Sequence, residues 1–170
     1  MRALGLDCAT KCGWSVVEDA LQAARKRGQA EHLVGHGVLD LSGKKKPIST
    51  VINELVFSLP SIDVAVVELP YLDENVVTLR TLARLVGRFE HAFEPLHVGV
   101  ELVMATEWQR AILGGFGGKN REGLKKAAVL WARATFGAVL TEDEADAAGI
   151  ASHVLRKRSF ARRLEAAHAM

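Results

Sequence analysis

Four acidic residues occupy positions where a globular protein seldom places a negative charge. Asp7 ends the apolar run RALGLD, and Glu68 ends the run DVAVVEL, and both runs have the composition of buried strands. Asp143 and Asp146 are three residues apart at the start of a predicted helix, so their side chains project from one face. Because a buried carboxylate is costly unless a positive charge meets it, something must neutralise this set.

Small residues accompany the acids. Side chains alternate across a strand, so Asp7 shares a face with Ala3 and Gly5, which leave space beside it. The helix residues that follow Asp146 are also small, namely Ala147, Ala148, Gly149 and Ala151. A helix with such a face can lie very close to a sheet. Its two aspartates would then reach the strand ends that carry the other two acids.

Four clustered carboxylates repel each other, and two divalent cations would supply the missing positive charge. Ligands that are all oxygen suit Mg²⁺ or Mn²⁺ rather than zinc. Each acid alone also has a structural explanation: Asp7 could form a turn, Glu68 could pair with an arginine, and the helix acids could favour the helix dipole. The order strand-Asp, strand-Glu, helix Asp-x-x-Asp favours the metal site over these separate explanations.

The elements that must position these acids alternate between strands and helices. RALGLD, GWSVVE and HLVGHGVLDL predict an antiparallel meander at one edge of a sheet, and DVAVVEL and GVELVMA predict two further strands. Helices are predicted over STVINELVFSL with Ser49 or Thr50 as N-cap, over 75–94, over 124–134 and from DEADAAG onwards. This order predicts an α/β fold with a mixed five-stranded sheet and helices on both faces.

Composition is that of one ordinary soluble domain. The chain has 170 residues, of which 49% are hydrophobic and 25% charged, and it contains no apolar run of membrane-spanning length. The N-terminus lacks the features of a signal peptide. Cys8 and Cys12 have no second pair to complete a zinc site, so we expect two reduced thiols. These features predict a cytoplasmic protein without membrane contact.

The sequence resembles the RuvC-type Holliday junction resolvases of the RNase H-like nuclease group. The resemblance covers residues 2–155 and rests on LGLDCATKCGWSVV, VAVVELPY and DEADAAGIASHVL, with support from TLARLVGRFEHAF and EWQRAILGG. The details are more typical of a phage-encoded or divergent bacterial member, which implies the cytoplasm of a bacterial or phage-infected cell. Ala9 stands where the family usually has a glycine, and Gln109 where it often has a lysine.

The resemblance implies an RNase H-like nuclease domain over 1–158, with a basic tail over 159–170. It implies an endonuclease with two Mg²⁺ ions per active site, replaceable by Mn²⁺, that resolves four-way and other branched DNA junctions and leaves 5′-phosphate and 3′-hydroxyl ends. Asp7 would bridge both ions, Glu68 would complete one coordination shell, and Asp143 and Asp146 would complete the other. Such resolvases are homodimers that use the helix predicted over 75–94. Ala83 and Gly87 of that helix would permit close packing.

DNA contacts are predicted near the acids. Tyr71 follows Glu68 by three residues, and the resemblance implies that its ring enters the junction and unstacks bases. A loop tyrosine covering an apolar edge is the alternative explanation. The polar and basic residues around the glycine-rich segment ILGGFGGKN, which is predicted to be a loop, could contact phosphates or simply form a solvated face. Besides Tyr71, the predicted contacts are Gln109, Lys119, Arg121, Lys125 and Lys126.

Three other functions remain open on the sequence. An RNase H-like nuclease that processes structured RNA would use the same acids. A sugar-kinase-like ATPase also begins with a strand-borne aspartate, but it needs phosphate loops and a second domain, for which this chain is short. A non-catalytic junction-binding protein would be expected to lack at least one of the four acids.

Overall fold

A computed structural model describes residues 1–19, 31–69, 76–114 and 120–168. Strands and helices alternate in these residues, and a single 3-10 turn, Glu94–Leu96, is described before the last strand. The elements in chain order are β1 (Arg2–Asp7), β2 (Lys11–Asp19), β3 (Glu31–Asp40), α1 (Ile48–Ser58), β4 (Val64–Glu68), α2 (Val76–Phe93), β5 (Gly99–Val103), α3 (Ala105–Leu113), α4 (Arg121–Phe136) and α5 (Glu142–His168). None of the described helices has an apolar stretch long enough to cross a membrane.

The five strands form one mixed sheet in the order β3-β2-β1-β4-β5. β1 pairs antiparallel with β2, and β2 pairs antiparallel with β3. β4 lies parallel to β1 on its other side, and β5 lies parallel to β4. The sequence-based prediction of a mixed five-stranded sheet with an antiparallel three-stranded edge is therefore confirmed.

Side-chain alternation divides the core between the two faces of the sheet. Leu4 and Leu6 of β1 pack with α1 and α2, whereas Ala3 packs with α3, α4 and α5. In β4, Val64 and Val66 belong to the same core as Ala3. Because residues two apart share a face of a strand, Asp7 and Glu68 lie on the face that α5 covers.

Helix α5 lies unusually close to the sheet because glycines face it. A Cβ atom on Gly5 would stand 2.0 Å from the carbonyl oxygen of Ala147, and one on Gly13 would stand 2.1 Å from that of Asp143. The Ser15 hydroxyl donates a hydrogen bond of 2.8 Å to the carbonyl oxygen of Glu144. The first two turns of α5 therefore rest on the backbones of β1 and β2, as the small residues of the sequence predicted.

Helices α1 and α5 begin in different ways. The N-cap of α1 is Pro47, without a side-chain cap, and Ser49 and Thr50 lie inside the first turn. The prediction of either as N-cap was wrong, because proline has a φ compatible with entry into a helix and the helix begins earlier. At α5, the Thr141 backbone N–H and hydroxyl donate to Glu144 Oε2 at 2.8 and 2.7 Å. This pair caps the helix that carries the two aspartates.

The end of α5 contains the segment that the sequence suggested as a tail. The helix continues without interruption through residue 158 to His168, so residues 159–168 are its exposed last turns. Three cations just before this segment are not free, because each pairs with an acid of the sheet or of α3. The pairs are Arg156 with Glu31, Lys157 with Glu107 and Arg158 with Glu101.

The contact between β1 and α5 predicts the effect of a single methyl group. Gly5→Ala should destabilise the protein by about 1–3 kcal/mol, because the new Cβ would overlap backbone atoms that cannot rotate away. Gly99→Ala in the edge strand β5 is the matched control, since its Cβ would have no heavy atom within 4 Å. Urea unfolding of the two variants measures the difference. Equal stability would mean that α5 packs less closely than described.

Candidate active site

Asp7 and Glu68 are neighbours because their strands are parallel neighbours. The register of β1 and β4 pairs Leu6 with Val67, so the next residues, Asp7 and Glu68, end the two strands side by side. The buried runs before them, which include Val64, hold both acids on rigid strands. The carboxyl ends of neighbouring parallel strands thus present two carboxylates to one place.

The start of α5 adds two further carboxylates. The contact of Gly13 with the Asp143 backbone brings the first turn of the helix over the sheet, and Asp146 follows on the same face. All four acids line one cavity of about 800 Å³. In the part of the chain that the structure describes, however, no three acidic, histidine or cysteine side chains are spaced as the ligands of one ion.

Burial and mutual repulsion make three of these carboxyls hard to ionise. Burial is the main cause in each case, and it raises the pKa of Asp7 to about 6, that of Glu68 to about 7 and that of Asp146 to about 8. The charge of Asp143 adds to the shift at Asp7, and the charge of Asp7 adds to the shifts at Glu68 and Asp146. The cavity therefore favours a positive charge at its centre.

Two cationic side chains of α4 partly neutralise the carboxylates. Lys125 Nζ lies 3.2 Å from Asp143 Oδ1 and 3.5 Å from Glu142 Oε2. Burial lowers the pKa of this ammonium group, but the hydrogen bond with Asp143 and the charges of Asp143, Asp146 and Asp7 outweigh it and raise the pKa. Arg121, one turn earlier on α4, also lines the cavity and lowers the pKa of Asp7 and Glu68.

A buried tryptophan contacts the Glu68 carboxylate. Trp108 of α3 is fully buried, and its indole Nε1–H donates a hydrogen bond of 2.7 Å to Glu68 Oε2. This bond opposes the effect of burial on the pKa of Glu68. The sequence analysis did not single out Trp108, which precedes Gln109 in the segment EWQRAILGG. The available signal was a tryptophan at helical spacing from Ile112, which predicts burial, since a buried indole N–H needs an acceptor.

The other predicted site residues have different positions. Gln109 lines the cavity with the acids. Lys126 does not line it; its Nζ lies 2.6 Å from Glu122 Oε1 on the exposed face of α4. Tyr71 and Lys119 lie outside the described residues.

The two cysteines lie at the turn that follows Asp7. Cys8 and Cys12 are both free thiols with their sulfur atoms 4.0 Å apart, and Cys8 lines the cavity. The hydrogen bond with the Cys8 thiol and, after it, burial raise the pKa of Cys12. Among the described residues, neither thiol belongs to a group of side chains spaced to hold a metal ion.

Solved structures share this architecture. T. thermophilus RuvC in complex with Holliday junction substrate matches with a TM-score of 0.68 and 20% sequence identity over 90% of this chain and 92% of that one. A second Thermus thermophilus RuvC structure matches with the same score and identity over 92% and 96%. The fowlpox virus Holliday junction resolvase matches with a TM-score of 0.63 and 10% identity over 92% and 99%. The fold is that of RuvC.

The likeness to RuvC is one of fold. No protein-family model matches the sequence, and no curated protein sequence matches it. In this chain, the fold brings the ends of β1 and β4 under the first turns of α5. The residues that meet there are four carboxylates, which supply only oxygen donors, and the pKa of Asp7, Glu68 and Asp146 is raised. This donor set fits hard divalent cations such as Mg²⁺.

The raised pKa values predict how stability depends on pH. The pKa of Asp146 is about 8 in the folded protein, against an ordinary value of 3.8 for an aspartate. The unfolded chain therefore loses this proton first, and the folded state loses stability as the pH rises from about 4 to about 8. Asp146→Asn removes that penalty, so the variant should be more stable than the native protein by at least about 1 kcal/mol at pH 8, and by little at pH 4.

Thermal unfolding between pH 4 and pH 8 in EDTA measures this difference. Glu165→Gln, which removes an exposed carboxylate from the far end of the same helix, is the control and should change little. In the native protein at pH 8, added Mg²⁺ should raise the Tm, because a cation bound only by the folded state stabilises it. If Asp146→Asn is no more stable at pH 8, burial and the neighbouring carboxylates do not raise the pKa of Asp146 as described.

Proposed function

We propose that this protein is a Mg²⁺-dependent endonuclease that resolves four-way and other branched DNA junctions. One observation carries the proposal: four carboxylates from two strand ends and one helix line a single cavity, and the pKa of three of them is raised. The RuvC fold supports the choice of substrate, since the similar Thermus protein was solved with a Holliday junction substrate.

The carboxylates would hold two divalent cations, with Asp7 between them, Glu68 on one side and Asp143 and Asp146 on the other. Ions bound there would activate a water molecule and neutralise charge on the scissile phosphate, giving a 5′-phosphate and a 3′-hydroxyl. Strands β1 and β4 fix the positions of Asp7 and Glu68, because their backbones are hydrogen-bonded on both sides. Mn²⁺ should replace Mg²⁺, since the donors are all oxygens.

The opposite wall of the cavity suits a phosphate backbone. α4 begins at this wall, where Asn120 Oδ1 accepts a hydrogen bond from the Gly123 backbone N–H at 2.8 Å. Helix N-termini favour anions, and Arg121 and Lys125 add positive charge there. Gln109 could donate a hydrogen bond to a phosphate oxygen, although it lacks the charge of the lysine common in the family. We retain Tyr71 as the proposed base-stacking residue and Lys119 as a proposed phosphate contact.

Lys126 is the weakest of the proposed DNA contacts. Its ammonium group pairs with Glu122 on the exposed face of α4, away from the cavity. An exposed pair of this type contributes little and can exchange with a phosphate. Lys126 would therefore contact only DNA that extends beyond the cavity.

Cleavage assays on matched substrates test the proposal. Asp7→Asn should reduce cleavage of a synthetic four-way DNA junction to background, while junction binding survives or tightens, because a negative charge near the phosphate is removed. Asp63→Asn is the control, since Asp63 precedes the opposite end of β4 and only its carboxylate contact with the Arg2 backbone changes. Cleavage with Mg²⁺ and with EDTA, and gel-shift binding, are measured for both. Full activity of Asp7→Asn would contradict the assignment of the metal site.

The same assay separates the alternative functions. A structured RNA and a linear DNA duplex of the same sequences are compared with the junction. Preference for the RNA would identify an RNA-processing nuclease with the same acids. Tight junction binding without any cleavage in Mg²⁺ or Mn²⁺ would identify a non-catalytic junction-binding protein. The four acids that share the cavity support the catalytic alternative.

We also propose that the protein is a homodimer that packs through α2, since a four-way junction needs two symmetric cuts. Ala83 and Gly87 are exposed on this helix, and a Cβ on Gly87 would meet no atom of its own chain within 4 Å. Glycine within a helix costs about 1 kcal/mol relative to alanine. Close approach of the same helix in a second subunit would use the space that the missing side chain leaves.

A bulky substitution tests this interface. Gly87→Leu should shift the protein toward monomer and abolish paired cuts in a cruciform plasmid, while each subunit keeps its fold. Gly99→Leu on β5, also without a neighbour within 4 Å of its Cβ, is the control outside α2. Light scattering and the ratio of linear to nicked plasmid provide the measurements. A dimeric Gly87→Leu protein that still cuts both strands together would assign the dimer to another surface.

A further inference from the structure

The bond between Trp108 and Glu68 joins a fully buried side chain to a carboxylate of the cavity. Trp108 Nε1–H donates to Glu68 Oε2 at 2.7 Å, which is a short bond for a nitrogen donor. The acceptor is a carboxylate, so the bond is of the stronger, charge-assisted type when Glu68 is ionised. The indole can only donate, so this bond always favours the ionised carboxylate.

The fold holds the indole ring firmly in this position. Trp108 is fully buried on α3, and its ring rests on Gly149 of α5. A Cβ on Gly149 would lie 2.6 Å from Cζ3 and 2.9 Å from Cε3 of Trp108. The ring therefore occupies the space that a side chain at position 149 would fill. Two elements, α3 and α5, thus fix the direction of the N–H bond.

A buried tryptophan needs an acceptor for its N–H, and that need alone could explain the contact. Two features indicate that the bond does more than satisfy the buried N–H. The acceptor is the one acid at the end of β4, although carbonyl oxygens are far more common acceptors in a protein interior. In addition, the bond engages one oxygen of the carboxylate, and no hydrogen bond from another described residue occupies the other oxygen. A carboxylate fixed in this way presents a single oxygen to a cation, in one orientation.

We propose that Trp108 is a positioning residue for the divalent cation, which it serves by fixing the Glu68 carboxylate through Oε2 so that Oε1 is left to bind the ion. This inference rests on the proposed function, because it requires that Glu68 is a ligand. Groups that orient a ligand typically change metal affinity about 10–100-fold when they are lost. Gly149 has the dependent role of leaving room for the ring.

An isostere that lacks only the donor gives the sharpest test. Site-specific replacement of Trp108 by 3-benzothienylalanine keeps the bicyclic ring and removes the N–H. The same replacement at Trp131, a buried tryptophan that contacts Phe136 instead of an acid, is the matched control. Mg²⁺ binding is measured by titration calorimetry, the Tm by thermal unfolding in EDTA, and junction cleavage as a function of Mg²⁺ concentration.

We expect the replacement at position 108 to raise the dissociation constant for Mg²⁺ about 10-fold or more. The Mg²⁺ concentration for half-maximal cleavage should rise in parallel, with a smaller change in the rate at saturating Mg²⁺. The control at position 131 should leave the Mg²⁺ affinity unchanged. Unchanged affinity at position 108, with a lowered Tm, would overturn the inference and leave Trp108 a purely structural residue.

A double-mutant cycle tests the part that Gly149 plays. Gly149→Ala should weaken Mg²⁺ binding in the native background, because the methyl group displaces the indole and its N–H. In a Trp108→Phe background the smaller ring leaves space, so the same substitution should cost much less. Equal effects in both backgrounds would overturn the link from Gly149 through Trp108 to Glu68.

The outcomes for the two proposals are distinct. If the native protein binds no Mg²⁺ or Mn²⁺ at millimolar concentration, the proposed metal site is wrong and the role of Trp108 is wrong with it. If the native protein binds Mg²⁺ and the isostere at position 108 binds it equally well, the metal site stands and only the role of Trp108 is overturned.

Discussion

The close contact between α5 and the sheet is the constraint on which the candidate site depends. Gly5 and Gly13 allow the helix backbone to touch β1 and β2, at distances that any side chain would prevent. Without this approach, Asp143 and Asp146 would stand a side-chain layer above the strand ends, out of reach of Asp7. The site therefore depends on these two glycines as much as on the acids themselves.

The same contact explains why the carboxylates are so poorly solvated. A helix that lies on the sheet excludes water from the strand ends, and burial is the largest cause of the raised pKa of Asp7, Glu68 and Asp146. The structure opposes this cost only in part, through the charges of Lys125 and Arg121 and the indole of Trp108. An arrangement that is electrostatically unfavourable by itself and held by rigid elements is typical of functional sites.

The sequence predicted the sheet and the four acids because both follow from local rules. Side-chain alternation placed Asp7 on the face of Ala3 and Gly5, and helical spacing put Asp143 and Asp146 on one side of α5. Trp108 could not be predicted in the same way, since its partner Glu68 is forty residues earlier and its space depends on Gly149 of a third element. Contacts of this kind become visible only when the elements are assembled.

The basic residues were the hardest to interpret from the sequence, because the effect of a charged side chain depends on the groups that pair with it. Three cations, Arg156, Lys157 and Arg158, follow one another in the sequence just before the basic tail, yet each is paired with an acid of the protein body. Lys125 and Lys126 are adjacent in sequence, but only Lys125 faces the cavity, because successive residues of a helix point in different directions. A phosphate backbone at this site would therefore meet the start of α4, where a helix N-terminus, Arg121 and Lys125 converge, rather than the basic end of α5.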